Sequence, residues 1–396
     1  MKITELETVV VGNPGPSDVG GRYYVFVQLR TDDGIEGLGE VYAAAFTPAV
    51  MVPLIEEVFA RHVQHADPFT IERLWRDIYG RGYSGRPEIT LLAVLSGLEI
   101  ACWDIIGKAV GQPVYNLLGG TVRDRLRTYT YLYAEPGDRK DVYREPELGA
   151  QRAVQYVEMG FTAIKFDPIG PYATLDPRQP TVEALDRAEA YVRTVREAVG
   201  NRCDLLIGTH GQLTTSGAIR LAKRLEPYSP LWFEEPVPPE MPEEMARVAR
   251  ATSIPVATGE RLTTKYEFAR VLETGAASIL QPNLGRVGGI LEAKKIAGMA
   301  EAHYAHIAPH LYCGPVVGAA NIQLATCSPN FLILEGIKRW DGFQAQLLKT
   351  AIRWENGYVI PPSAPGIGVE LNREVAAQNP YTGDELHQNP IYGALD

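Results

Sequence analysis

The second half of the chain has a repeating pattern of apolar and polar positions. From about residue 160, short β-rich apolar runs end in a polar residue, and an amphipathic helical stretch follows each. The runs are TAIKFD (162–167), DLLIGTH (204–210), LWFEEP (231–236), PVATGE (255–260), SILQPN (278–283), YAHIAPH (304–310) and FLILEG (331–336). Their end markers, His210, Glu234, Glu260, Asn283, His310 and Glu335, recur at near-equal intervals. Each interval is long enough for one strand, one crossover helix and two turns. Strands buried on both faces and alternating with helices predict a parallel sheet, and so many near-equal units predict closure into a barrel. RTYTYLYAE (127–135) supplies a first strand, making eight. The stretches 183–199 and 288–303 keep apolar residues three and four apart, as crossover helices do. An open doubly wound sheet fits less well, because nothing in the rhythm marks a reversal of strand order.

The first ~120 residues follow a different pattern. YYVFVQLRTDDGIEGLGE predicts two strands joined at an Asp-Asp-Gly turn, after the strand-like alternation of MKITELETVVV. Helix-rich sequence follows over 48–63, 70–79 and 89–111. The predicted fold class is therefore α/β: a modified (β/α)8 barrel over 123–350, with an α+β capping domain over 1–122. A C-terminal segment, 351–396, contains the extended GYVIPPSAPGIGVELN that returns to the cap, and its last ~20 residues read as irregular surface.

Composition narrows the function. Hydrophobic content of 45% and charged content of 22% are those of an ordinary globular protein, and 396 residues favour two domains. A net charge of −10 and the lack of a basic run argue against a nucleic-acid partner. No apolar run reads as a bilayer span, so no membrane partner is expected. No signal-peptide pattern precedes the first strand, and the four cysteines lack CxxC spacing, as buried free thiols in a reducing compartment would. The expected location is cytoplasmic.

Chemistry in a (β/α)8 barrel gathers where the C-terminal strand ends converge. Lys165, Asp167, His210, Glu234, Glu260, Asn283, His310 and Glu335 all fall there. Several carboxylates at one mouth, without an arginine on every neighbouring strand, point to a divalent cation. Bland alternatives attach to some of them: Glu235 as a surface acid, Glu260 paired with Arg261 or Lys265, Asp167 as the start of a turn before proline. His303 and His306 read as structural. The NLGRVGG stretch reads as a strand-to-helix turn, since GxGxxG spacing is absent.

WFEEP, ATGERL, ILQPNLGRVGGI and IAPHLYCGP, in this order and spacing, resemble the enolase superfamily and its mandelate racemase/muconate lactonizing branch. KFDPIGPY, THG and APH look closest to acid-sugar dehydratases such as those of galactonate, gluconate and arabinonate. The resemblance implies Mg²⁺, or Mn²⁺ or another divalent cation, held by Glu234 and Glu260. It implies His310 as the base that removes the proton α to a substrate carboxylate, and His210 as the acid toward the departing β-hydroxyl. The resemblance also implies Lys165, near the substrate carboxylate, as a third catalytic residue; Asp167, Asn283, Glu335 and Tyr312 are expected as substrate contacts. The product would be a 2-keto-3-deoxy acid formed through an enediolate. A racemase or cycloisomerase on the same intermediate, or a non-catalytic sugar-acid-binding relative, is the alternative reading. A homo-oligomer is expected by analogy of fold.

Two positions depart from that pattern. The first metal-ligand position, one strand-and-helix repeat before Glu234, is Gly208. His210, further along the same run, is then a candidate ligand as well as a candidate acid, and ligation by imidazole would favour Mn²⁺, Fe²⁺ or Zn²⁺. The second is Asn283, where the family usually has an Asp that orients the His310 ring and stabilises its cation. Substrate choice is assigned to the loops 11–22, 43–52 and 80–87.

Overall fold

The computed structural model describes residues 1–15, 19–80, 86, 88–135, 138, 141–173 and 175–387. The loops 11–22 and 80–87 therefore lie partly outside the described residues. The chain opens with an antiparallel sheet of β1 (Ile3–Gly12), β2 (Tyr23–Thr31) and β3 (Glu36–Val41), in that order. Helices Pro48–Val58, Ile71–Tyr79 and Ile89–Val110 cover one face of it. The third helix packs so closely on β3 that a Cβ at Gly39 would lie 1.9 Å from the Gly97 carbonyl oxygen. Glycine is needed there for the approach of the two backbones.

Eight parallel strands follow: β4 (Leu126–Tyr131), β5 (Ala163–Phe166), β6 (Asp204–Gly208), β7 (Trp232–Glu234), β8 (Val256–Thr258), β9 (Ile279–Leu280), β10 (His306–Ile307) and β11 (Leu334–Glu335). Each pairs with its neighbour from β4 to β10, Ile307 bridges to Phe331, and β11 pairs back onto β4. The predicted (β/α)8 barrel with an α+β cap is the observed architecture, and the predicted helices 183–199 and 288–303 are Val182–Val199 and Ile290–Ala302.

The barrel interior explains where chemistry sits. Tyr129, Ala163, Leu206, Trp232, Ala257, Ile279, Ala308 and Ile333, one residue from each strand or its edge, form a buried apolar plug. Side chains alternate faces along a strand, so the next inward layer lies two residues on. That layer is Tyr131, Lys165, Gly208, Glu234, Gly259, Gln281, His310 and Glu335. The polar residues thus stand one pleat above a packed floor.

Carboxylates of the cap fasten it to the barrel. Glu99 accepts the N–H groups of Ile290 (2.7 Å) and Leu291 (2.9 Å), and Glu40 accepts those of Val317 (2.9 Å), Val316 (3.2 Å) and Gly314. Both acids thereby cap the N-termini of barrel helices, Ile290–Ala302 and Pro315–Thr326, which are otherwise left with unsatisfied donors. Burial outweighs these donors and raises both carboxyls to about 7.

Two expectations are corrected. The helix Ile89–Val110 is long and apolar enough to qualify as a bilayer span by length and composition, but 78% of its apolar window is buried inside the fold. Its apolarity serves the interior of the cap. The final residues are also not all irregular surface. After the hairpin β12 (Trp354–Glu355) and β13 (Tyr358–Val359), which adds antiparallel to β4, the chain crosses to the cap, where Ile367 N–H donates to Asp104. Pro380 then bridges to Val11, and His387 is buried with its ring nitrogens against the carbonyl oxygens of Tyr23 (2.8 Å) and Tyr312 (3.2 Å). Rings of Tyr23, Tyr24, Tyr42 and Tyr312 surround the imidazole and exclude water. The four cysteines are free and buried.

Candidate active site

A cavity of about 570 Å³ opens at the C-terminal ends of the barrel strands, and Tyr42 of the cap forms part of its wall. Lys165, Asp167, His210, Glu260, His310, Tyr312 and Glu335 line it. Glu234 and Asn283 lie just behind, each in contact with a lining residue.

Glu234 is buried against the Lys165 ammonium, and its other oxygen accepts from Gln281 Nε2 at 2.8 Å. Burial works against the charge on Lys165, but Glu234 and Glu335 more than offset it, and the amine stays charged well above its ordinary range. Glu335 lies 3.8 Å from Lys165 and accepts the Leu311 N–H at 2.8 Å. Burial raises Glu335 to about 7. Glu260 faces His310 Nε2 at 3.3 Å. Burial alone would raise it, yet His310, His210 and Lys165 hold it below the usual carboxylate range.

The bland pairings for Glu260 are absent: Arg261 binds Glu235 at 2.7 Å and Lys265 binds Glu292 at 2.9 Å. Glu235 is therefore no surface acid. It is 1% exposed, and its backbone φ of 40° turns it into the interior toward Arg261. His303 and His306 are exposed and take no part in the site. Two of the acids at the mouth are nonetheless paired: Lys165 of β5 reaches across β6 to Glu234, and Arg261, just past β8, reaches Glu235.

His210 has left the strand. β6 ends at Gly208, and His210 has a φ of 47°, a left-handed backbone that is costly without glycine. Pleat alternation from residue 208 therefore does not aim its ring. Its Nδ1 instead lies 2.5 Å from Asp167 Oδ2, with Tyr172 and Tyr131 flanking the ring. Burial disfavours the imidazolium, but the Asp167 charge outweighs it and raises His210 to about 9. His310 has the opposite environment. Burial, only partly offset by Glu260, lowers it to about 3.

Asn283 decides the tautomer of His310. Its Oδ1 accepts the Gly285 N–H at 2.9 Å, so its Nδ2 is the atom 2.8 Å from His310 Nδ1. An amide N–H can only donate, so Nδ1 accepts and the proton of the neutral ring sits on Nε2, the atom facing Glu260. An aspartate would have imposed the reverse.

Gly208 explains the other departure. A Cβ there would lie 2.1 Å from Asp167 Oδ1. The carboxylate of Asp167, just past the end of β5, fills the space beside Gly208, and Tyr131 OH donates to it at 3.2 Å. Asp167 is thus more than the start of a turn. Among the described residues no three acidic, His or Cys side chains are gathered into a ready metal cluster, since Lys165 holds Glu234 and His210 holds Asp167. The donor chemistry nonetheless fits a hard divalent cation. Glu234, Glu260 and Asp167 offer carboxylate oxygens at the same mouth, and fully buried Gln281 has no donor to its Oε1 among the described residues.

Residue-type reasoning missed several lining groups. Arg286, in the turn before the helix Ile290–Ala302, stacks its guanidinium 4.2 Å from the centre of the Tyr42 ring and donates to the Glu260 carbonyl at 3.0 Å. The NLGRVGG stretch is the expected turn, and nothing in it signalled that Arg286 faces the cavity. Gln281 followed from the pleat step beyond Ile279, a step that requires the register of the floor.

Comparison with known proteins agrees with this geometry. Residues 16–119 match the mandelate racemase/muconate lactonizing enzyme N-terminal domain, and 149–375 match the enolase C-terminal domain-like family. A D-galactonate dehydratase of Ralstonia nicotianae is 37% identical over 383 residues, covering 94% of this chain and 95% of that protein. One of Variovorax paradoxus is 38% identical over 408 residues, covering 100% and 98%. Among solved structures, a mandelate racemase/muconate lactonizing enzyme from Sulfitobacter sp. superposes with a TM-score of 0.96 at 51% identity, covering all of both chains.

Proposed function

Because this chain belongs to the mandelate racemase/muconate lactonizing enzyme branch of the enolase superfamily, we propose that it dehydrates an aldonic or aldaric acid to a 2-keto-3-deoxy acid. Dehydratases are hydro-lyases, and the chain is an enzyme of the lyase class. One observation carries the reading: His210 after β6 and His310 after β10, four strands apart in an eight-stranded ring, face one cavity with opposed environments. Paired titratable groups pushed apart in this way are suited to act as acid and base.

Glu234 and Glu260 would hold a divalent cation, which would supply charge stabilisation at the substrate carboxylate. Lys165, buried and charged, orients that carboxylate. His310 Nε2 takes the α-proton, for which the ring must first pass to the tautomer protonated at Nδ1. The C–H electron pair passes into the carboxylate to give the enediolate. Its collapse forms the C=C bond between the α and β carbons as the β C–O bond breaks, and protonated His210 gives its proton to the departing oxygen, releasing water. The enol then becomes the ketone. Arg286 and Tyr42 bring cap and barrel together over the rest of the substrate.

The test is a panel of aldonic and aldaric acids assayed for 2-keto-3-deoxy product with Mg²⁺, with Mn²⁺ and with chelator. Product dependent on metal supports the dehydratase. Deuterium exchange at C2 without product supports a racemase or cycloisomerase. Binding with neither supports the sugar-acid-binding reading, which the donor tautomer of His310 favours.

A further inference from the structure

We propose that Asp167 is the third carboxylate ligand of the divalent-cation site, taking over from position 208 on the neighbouring strand. The inference rests on the superfamily's use of a divalent cation, and its test needs no substrate.

Strand register puts the two positions side by side. Phe166 pairs with Ile207 in the parallel ladder of β5 and β6, and Gly208 pairs with Glu234 of β7. Asp167, immediately past Phe166, therefore stands level with Gly208. Its Oδ1 lies 2.1 Å from where a Cβ at 208 would be. An aspartate side chain places its oxygens about that far beyond its own Cβ, so the Asp167 oxygen occupies the space a carboxylate at 208 would use. The two carboxylates exclude each other sterically, and glycine at 208 is what makes room for Asp167.

The division of labour within Asp167 is also consistent. Oδ2 meets His210 at 2.5 Å, while Oδ1 points into the space beside Gly208 and, among the described residues, takes one hydrogen bond, from Tyr131. One oxygen is thus left for a cation while the other keeps hold of the histidine. The buried Gln281 amide, bonded to Glu234 through Nε2, has no donor to its Oε1 among the described residues. A buried acceptor without a donor is suited to a cation or to water bound to one. With Asp167 included, the set regains the charge lost at Gly208, and His210 is released from ligation to act on protons.

The experiment is Mn²⁺ binding to the purified full chain, followed by calorimetry and by loss of the free Mn²⁺ paramagnetic signal. Asp167→Ala is expected to weaken binding by at least about tenfold, because affinity for hard cations tracks the number of charged ligands. Asp167→Asn, which keeps the side-chain shape, should show a similar loss. The exchange Asp167→Gly with Gly208→Asp should recover most of the affinity, whereas Gly208→Asp alone should lower the melting temperature through the clash. His210→Asn should bind Mn²⁺ within a few-fold of wild type. Unchanged affinity in folded Asp167→Ala and Asp167→Asn would overturn the proposal, as would wild-type protein that binds no Mn²⁺. Loss of binding in His210→Asn alone would assign the ligand to the imidazole instead. Dehydration can fail in every assay without touching these outcomes.

Discussion

Asn283→Asp isolates the tautomer argument. In the structure the amide oxygen is committed to Gly285 N–H at 2.9 Å, leaving an N–H to face His310 Nδ1 at 2.8 Å. For His310 to accept a proton at Nε2, its own proton must sit on Nδ1, where it would confront the amide N–H. That tautomer loses one hydrogen bond and buries two opposed donors, a cost of about 1–3 kcal/mol. The base form is then a minor species by about 5- to 150-fold. Aspartate accepts from both Gly285 N–H and Nδ1–H and makes the base form the major one. The expected result is a rise of about 5- to 150-fold in the rate of C2 proton exchange in deuterated water, followed by NMR on a turned-over or slowly processed sugar acid. kcat rises equally if proton abstraction limits turnover. The reference for scale is the aspartate-to-asparagine change in a serine-protease triad, which costs about 10⁴ through a wrong tautomer. Exchange that is unchanged or slower in folded Asn283→Asp protein would refute the tautomer assignment or the role of His310.

Other perturbations test separate parts of the reading. His310→Asn should abolish C2 exchange altogether, and persistence of exchange by mass spectrometry would remove His310 as the base. In metal-free protein the His210 imidazole should titrate near 9 by NMR; the Asp167 pair then stabilises the fold fully below about 6.5 and ceases to do so as pH rises through about 9. A value of 6.5 or below would show that Asp167 does not hold it. Glu99 works in the opposite sense to an ordinary salt-bridged acid. Its folded-state value of about 7 exceeds the ordinary glutamate value of 4.5, so its contribution falls as pH rises between these values. Glu99→Gln should flatten the loss of stability between about pH 5 and 8 in denaturant melts, and an unaltered slope would count against a raised Glu99.

Much of the site was legible in the chain because strand periodicity and residue type coincide there. Evenly spaced polar markers, each closing an apolar run, place Glu234, Glu260, His310 and Glu335 at strand ends from the chain alone. The barrel and cap follow from the same pattern, since apolar runs between amphipathic helices can be buried on both faces only in a parallel sheet. Individual strand lengths were less legible. β9, β10 and β11 span two residues each, because the chain bends away into the loops as soon as it clears the packed floor. His387 was invisible as a core residue, since a polar tail reads as surface until four tyrosines are seen to surround its ring.

The sequence by itself determined the order of strands and helices, the identity of the acids and histidines at the mouth, and the two anomalies at Gly208 and Asn283. Periodicity and composition act over a few neighbours and survive projection onto one dimension. What the anomalies mean was decided only in three dimensions. Gly208 reads as a missing ligand until Asp167, from the end of the preceding barrel strand, is found in the space beside it. Asn283 reads as a lost charge until the Gly285 N–H is seen to fix which end of the amide meets His310. Both depend on close contacts between groups on different strands or turns. Such contacts are set by strand register and side-chain packing, which local sequence does not encode.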